Sequence, residues 1–156
     1  MKQHGYCSAI VTKAKTGEKK QLALFQHNLL TDAGEAWMHA QVYTNTSAGT
    51  RGAGYIASTE SSITPAVGNT TLTGEIAASG LTRADATTKT YTGASNSTVI
   101  EHTFTVVTTP LTDVKASALF NAASVGTMPH IANFTTGSGT LAVNDTLKIT
   151  WTLTLG

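Results

Sequence analysis

Threonine is the feature that most constrains the fold of this chain. Thirty of its 156 residues are threonine, while Asp, Glu, Lys and Arg together make up only 12%. Threonine is β-branched, which favours the pleated strand over the helix, and it offers water a neutral hydroxyl. Few charges then remain to protect the edges of a sheet. We therefore expect a β-rich fold whose sheet edges pair internally or meet another subunit.

Length, charge and cysteine content exclude several classes of protein. A chain of 156 residues fits one domain with a real hydrophobic core. Its single cysteine, Cys7, cannot form an internal disulfide. A formal net charge of +1 argues against a basic nucleic-acid binder. No apolar run is long enough to span a membrane and no signal peptide is visible, so neither nucleic acid nor membrane is expected as a partner.

Short strands separated by turn residues dominate the second half of the chain. The last of them is the clearest, because apolar residues alternate strictly with Lys or Thr from Leu147 to Leu155. Residues 81–91 and 97–108 predict a long hairpin, with a register break near Glu101 because Val99 is out of step with the apolar residues after it. Further strands are predicted at 54–58, 114–121 and 128–135. Eight or nine such strands predict an all-β fold, an antiparallel sandwich or a jelly-roll-like arrangement.

The N-terminal segment differs in composition from the rest. Five of the eight lysines lie in the first 20 residues. A polar stretch over 15–20 separates two partly apolar runs, which predicts a strand, a turn and a second strand. Residues 1–27 are therefore interpreted as an N-terminal arm or hairpin that packs outside a β-sandwich domain formed by residues 28–156.

One short α-helix is predicted over residues 31–41. Thr31 can cap its N-terminus, and Asp32 and Glu35 in the first turn complement the helix dipole. Trp37 belongs to an apolar stripe at helical spacing. A single helix among many strands does not give the alternating pattern of a parallel α/β sheet.

No pattern of residues points to catalysis or to a cofactor. The five histidines lack the spacing that would bring metal ligands together, and acids are sparse. The glycine-rich stretch 49–54 lacks the Lys-Ser/Thr end of a phosphate-binding loop. Cys7 has no base near it in sequence and is interpreted as a small apolar strand residue. The sequence therefore predicts a protein that is not an enzyme and needs no metal or cofactor.

An ordered set of short segments resembles a family of small structural proteins of tailed bacteriophages and related proviruses. The resemblance extends from about Asn28 to Gly156. It rests on the order of the segments rather than on any one of them. The segments are Asn28-Leu-Leu-Thr-Asp-Ala-Gly34, Gly54-Tyr-Ile-Ala57, Thr71-Leu-Thr-Gly-Glu-Ile76, Gly80-Leu-Thr-Arg-Ala84, Ala118-Leu-Phe-Asn-Ala-Ala-Ser124 and Asp145-Thr-Leu-Lys-Ile-Thr-Trp-Thr-Leu153.

The resemblance implies a virion protein without enzymatic activity, in one of two positions. One is a capsid decoration, or cement, protein that binds neighbouring major-capsid subunits from outside. The other is a component of the tail or tail fibre. The chain is short and has no repetitive shaft or coiled-coil pattern, which favours decoration. The expected partners are the major capsid protein and further copies of the chain, with a homotrimer favoured. Candidate interface residues are Lys13, Lys15, Lys19, Lys20, Tyr43 and Tyr55.

Two other classes of function remain open at this point. Tyrosines in or near loops (Tyr43, Tyr55 and Tyr91) suit a carbohydrate-binding sandwich displayed on a virion, although tyrosines also fill subunit interfaces. A glycan hydrolase would need two carboxylates in one cleft, and nine scattered acids argue against it.

Overall fold

The chain folds into two antiparallel β-sheets of five strands each. A computed structural model describes residues 3–27, 29–34, 52–92 and 97–155. The order of strands is β2-β1-β10-β7-β6 in the first sheet, sheet A, and β3-β9-β8-β4-β5 in the second, sheet B. This arrangement confirms the predicted all-β sandwich. The strands are β1 Gln3–Thr12, β2 Lys19–His27, β3 Leu29–Leu30, β4 Tyr55–Thr59, β5 Ala84–Asp85, β6 Thr88–Thr92, β7 Ser97–Thr105, β8 Ala116–Phe120, β9 His130–Asn133 and β10 Thr146–Leu155.

The first and last strands lie side by side inside sheet A. β1 and β10 pair antiparallel over ten residues, from Gln3 opposite Leu155 to Thr12 opposite Thr146. The alternation predicted for the last strand is confirmed, since Leu147, Ile149 and Trp151 are all fully buried. The apolar side chains of both sheets meet in one core between the layers.

The N-terminal hairpin is present, but the prediction that it packs outside the main fold is wrong. β1 and β2 pair antiparallel, as a hairpin should. However, β1 lies between β2 and β10, so it is an inner strand of sheet A. Cys7, Ala9 and Val11 of β1 and Leu22 of β2 are fully buried in the shared core. Lys13 and Lys15 lie in its turn and Lys19 and Lys20 on its edge strand, whereas its apolar face completes the sandwich.

The predicted register break near Glu101 is also wrong. β7 pairs with β10 and with β6 without interruption. Ile100 and Phe104 are the buried residues of β7, and they lie opposite Trp151 and Leu147. Val99 does not alternate with the apolar residues that follow it because its side chain lies on the outward face of the sheet. The core position is filled by its neighbour Ile100.

Sheet B is buried on both of its faces. Every residue of β8 is buried. One face contributes Ile56 and Leu119 to the core between the sheets. The opposite face forms a second apolar cluster in which loop residues cover the strands. This outer cluster consists of Ala57, Leu72, Ala118, Phe120, Met128 and Ile131, with Tyr55 and Ile63 packed against it.

The predicted helix begins where its cap was expected. Residues 32–34 are helical, and the backbone N–H of Gly34 donates to Oγ1 of Thr31 at 3.0 Å. The same hydroxyl donates to the carbonyl of Met128 at 2.7 Å, which ties the helix start to the loop segment that leads into β9. A Cβ at Gly34 would lie only 2.6 Å from Cα of Pro129, so this close approach requires glycine. The remainder of the predicted helix, 35–41, lies outside the described residues.

Candidate partner-binding surface

The four candidate lysines gather at one end of the sandwich, around the turn between β1 and β2. Lys13 is engaged inside the protein: its Nζ donates to Oδ2 of Asp145 at 3.0 Å and also to the carbonyl of Thr140. Asp145 further accepts the backbone N–H of Ala14 at 2.9 Å and that of Ala142 at 2.9 Å. Lys13 therefore anchors the β1–β2 turn to the residues that lead into β10.

The ionised form of Asp145 is held by these contacts. Its burial alone would raise the pKa of the carboxyl. The hydrogen bonds from Ala14, Lys13 and Ala142, together with the charge of Lys13, outweigh that effect and lower the pKa. The Lys13–Asp145 pair is thus a charged anchor that stays formed at neutral pH.

The other three lysines form the basic turn, defined here as Lys15, Lys19 and Lys20. Lys20 Nζ donates to the carbonyl of Gly137 at 3.0 Å. Lys15 and Lys19 are exposed, and neither side chain has a hydrogen bond or ion pair to the described part of the chain. Glu18 is the one acid within this turn. The basic turn is therefore a small site of net positive charge that an acidic partner could contact.

The candidate tyrosines do not share a surface with the basic turn. Tyr55 opens β4, is half-buried and packs against the outer cluster of sheet B. Tyr91 lies in β6, opposite Thr98 of β7. Tyr43 lies outside the described residues. An open row of aromatic platforms, which carbohydrate binding would need, is not formed by the tyrosine side chains that the structure describes.

Arg83 organises the outer side of sheet B, and sequence reasoning missed its role. Its Nε donates to Oε1 of Glu75 at 2.8 Å and its Nη2 to Oε2 at 2.5 Å, a bidentate pair. Its Nη1 donates to the carbonyls of Ala122 at 3.1 Å and Val125 at 2.8 Å. The guanidinium also lies 3.4 Å from the ring centroid of Phe120. Arg83 therefore joins three segments of the resemblance: 71–76, 80–84 and 118–124.

A shallow pocket of about 160 Å³ lies beside this network. Its lining includes Leu72, Arg83 and Phe120, with Val125 and Gly126 at the rim. Val125 has a φ of 56° and an 89% exposed side chain. A β-branched residue rarely adopts that backbone conformation, so the hydrogen bond from Arg83 to its carbonyl helps to hold it there. The donors of Arg83 are engaged by the protein, so the polar groups left in the lining are mainly the hydroxyls of Thr70 and Thr71.

The outward face of sheet A is lined mainly by hydroxyl groups. We call the outward residues of β6, β7 and β10 the hydroxyl face. Its charged members pair with each other, because Nζ of Lys148 lies 2.9 Å from Oε2 of Glu101. The same carboxylate oxygen accepts the hydroxyl of Thr150 at 3.0 Å. This broad surface is therefore polar and close to neutral. Its members are Thr88, Thr90, Thr92, Ser97, Val99, Glu101, Thr103, Thr105, Thr146, Lys148, Thr150, Thr152 and Thr154.

The described residues contain no cluster of metal-ligating side chains. Among them, no group of three or more His, Cys, Asp or Glu residues could hold a metal ion. Burial raises the pKa of the Cys7 thiol, which keeps it protonated and unreactive. Burial lowers the pKa of His130 to about 4, so this imidazole is neutral in the core, 6.2 Å from Trp151 between ring centroids. Within the same part of the chain, no helix is long and apolar enough to cross a membrane.

Comparison of the chain with protein families, with curated proteins and with solved structures finds no match. The bacteriophage resemblance therefore rests on the sequence segments alone.

Proposed function

We propose that this protein is a non-enzymatic structural component of a tailed-bacteriophage virion, and specifically a decoration protein that binds the outside of the capsid shell. The observation that best supports this proposal is that one sandwich carries two surfaces suited to contact with other proteins. One is the neutral hydroxyl face, which can lie against a protein neighbour without burying unpaired charge. The other is the basic turn, whose lysines suit an acidic partner surface.

The proposed partners are the major capsid protein and other copies of the chain. A decoration protein stabilises a shell because it binds the assembled state and not the free subunits, so its binding free energy adds to that of the shell. In this scheme the basic turn attracts the protein to an acidic capsid surface in a salt-dependent way and orients it there. The hydroxyl face provides contact area without net charge.

The first experiment locates the protein in an electron-microscopy map of its particle. Density on the outer capsid surface would support the decoration role. Density confined to the tail or its fibres would contradict that role and support a tail component instead. A glycan array adds an independent check, because specific hits would favour the carbohydrate-binding class.

A second experiment tests the basic turn by binding to purified capsid shells. The double variant Lys15→Gln/Lys19→Gln removes two exposed charges that make no internal contact with the described residues, so folding should be unaffected. We expect weaker binding and a shallower dependence on salt. The matched control, Thr73→Asp/Thr82→Asp, changes the net charge equally at exposed positions over sheet B. An equal loss of shell binding in both variants would show that total charge causes the effect, and the basic turn would then have no place in the proposal.

A further inference from the structure

Three of the four edge strands that the structure describes are short or covered. β3 and β5 have two residues each. β2 is longer, but the segment after β9 lies along it: the backbone N–H of Thr136 donates to the carbonyl of Leu22 at 3.0 Å, and Oγ1 of Thr135 donates to the same carbonyl at 2.7 Å. Lys19 and Lys20 add charge to that edge. These are the means by which proteins prevent sheets from pairing edge to edge.

The fourth edge strand, β6, is not as short as β3 or β5, and no described segment covers it over residues 88–90. It has five residues, Thr-Lys-Thr-Tyr-Thr, and pairs only with β7. Thr88, Lys89 and Thr90 are exposed. No backbone hydrogen bond from another described segment reaches these three residues. The charge of Lys89 is met within the subunit, since its Nζ contacts Oδ1 of Asp85.

We propose that β6 pairs antiparallel with β6 of a second copy of this chain, about a two-fold axis at Thr90. This pairing joins sheet A of each subunit into one continuous sheet of ten strands. Thr90 lies opposite Thr90 of the second copy, and Thr88 lies opposite Thr92. Threonine pairs across strands are favourable, and main-chain hydrogen bonds supply the affinity, as in other strand-addition contacts.

Charge favours this register over the one with its axis at Lys89. With the axis at Thr90, Lys89 lies opposite the neutral residue Tyr91. Moving the axis by one residue to Lys89 would put two lysines directly opposite each other, which is destabilising. Because the axis is perpendicular to the sheet, the hydroxyl faces of both subunits lie on one side. The pairing thus doubles the area of the neutral hydroxyl surface. The proposed dimer does not depend on the proposed virion function. A two-fold contact predicts a dimer in place of the homotrimer that the resemblance implied.

Cysteine cross-linking tests the register directly. In Thr90→Cys the new thiols face each other across the axis, where opposite Cβ atoms are roughly 5 Å apart. We expect a disulfide-linked dimer, with a short bis-maleimide as a second reagent. Thr88→Cys alone is the matched control, because its symmetry mate is four residues away along the strand, roughly 13 Å. Thr88→Cys mixed with Thr92→Cys should link again. Cys7 is fully buried and does not compete.

Charge variants test the same contact without covalent chemistry. Light scattering of the unmodified chain should give twice the monomer mass of 16.2 kDa. Thr90→Lys and Thr90→Glu each place like charges across the axis and should give monomers with unchanged circular dichroism. Their equimolar mixture should recover the dimer. The proposal is overturned by a dimer or trimer that Thr90→Lys leaves intact, by a monomer at all concentrations, or by equal cross-linking of Thr88→Cys and Thr90→Cys.

Discussion

Replacing Arg83 with alanine should be one of the most damaging single changes on the outside of sheet B. The substitution removes the bidentate pair with Glu75, the two hydrogen bonds to the 121–127 loop and the contact with Phe120. The Arg83 side chain is only 8% exposed, whereas that of Glu75 is 24% exposed. Glu75 can therefore reach water once its partner is lost, but it loses a well-oriented ion pair.

The size of the effect follows from these contacts. Breaking a buried ion pair by removing one partner costs about 3–5 kcal/mol, and the partial exposure of Glu75 places this pair at the lower end. The cation–π contact adds about 0.5–1 kcal/mol. We therefore expect a loss of about 3–4 kcal/mol in the free energy of unfolding. For a chain of this length, that corresponds to a fall of roughly 6–16 °C in Tm.

Urea denaturation and calorimetry measure this loss, and Lys89→Ala provides a matched control. The Lys89–Asp85 pair also joins a cation to a carboxylate, but both side chains are nearly half exposed. Exposed pairs contribute about 0.2–1 kcal/mol, so the control should change stability little. Arg83→Lys keeps the charge but loses the planar fork, and it should recover only a minor part of the loss. If Arg83→Ala were no more destabilising than Lys89→Ala, the structural role assigned to Arg83 would be refuted.

Three further predictions concern the core and the turns. Deleting residues 1–27 removes an inner strand, so circular dichroism should show an unfolded or aggregated chain; a folded, soluble product would contradict the topology. His130 is neutral when folded but titrates near 6.5 when unfolded, so the unfolded state binds more protons between pH 6.5 and 4. Stability should fall by about 2 kcal/mol from pH 7 to pH 5, and urea titrations of His130→Gln should lack that slope. Gly80→Ala should cost several times the roughly 1 kcal/mol of Gly17→Ala. Both glycines have positive φ, but only at Gly80 would a Cβ meet a backbone oxygen, that of Thr105, at 2.0 Å; equal unfolding midpoints would contradict this.

The fold class could be predicted because its signals are local. Alternation in β10 shows in nine consecutive residues, and the Thr31 cap needs only the helix start that follows it. The placement of β1 could not be predicted in the same way. Its core face is made of Cys7, Ala9 and Val11, which are small, while Ile10 points outward, so the alternation is hard to see. Its partner β10 lies at the other end of the chain, and no local pattern encodes that pairing.

The candidate surface was predictable in part for the same reason. A cluster of lysines is visible in sequence, but which of them remains available depends on distant residues. Lys13 is neutralised by Asp145, 132 positions away. Arg83 and Glu75 are eight residues apart and share no helical or strand face, so only the folded loops reveal their pairing. In a chain with so few charged residues, an isolated Arg or Glu is itself a sign that the residue has a structural role, and this is the signal by which Arg83 could have been found.

Sparse charge has a consequence for how this protein can meet a partner. Five of the eight described Lys and Arg residues are paired within the subunit: Lys13 with Asp145, Arg83 with Glu75, Lys89 with Asp85, Lys115 with Asp113 and Lys148 with Glu101. Among the described residues, the three other lysines, which carry the remaining positive charge, are those of the basic turn. Long-range attraction acts through uncompensated charge, whereas paired charges cancel within a Debye length of about 8–10 Å. An acidic surface would therefore orient the sandwich by the β1–β2 end. The hydroxyl face and the β6 edge lack net charge of their own, so they can contribute only after contact, through area and main-chain hydrogen bonds.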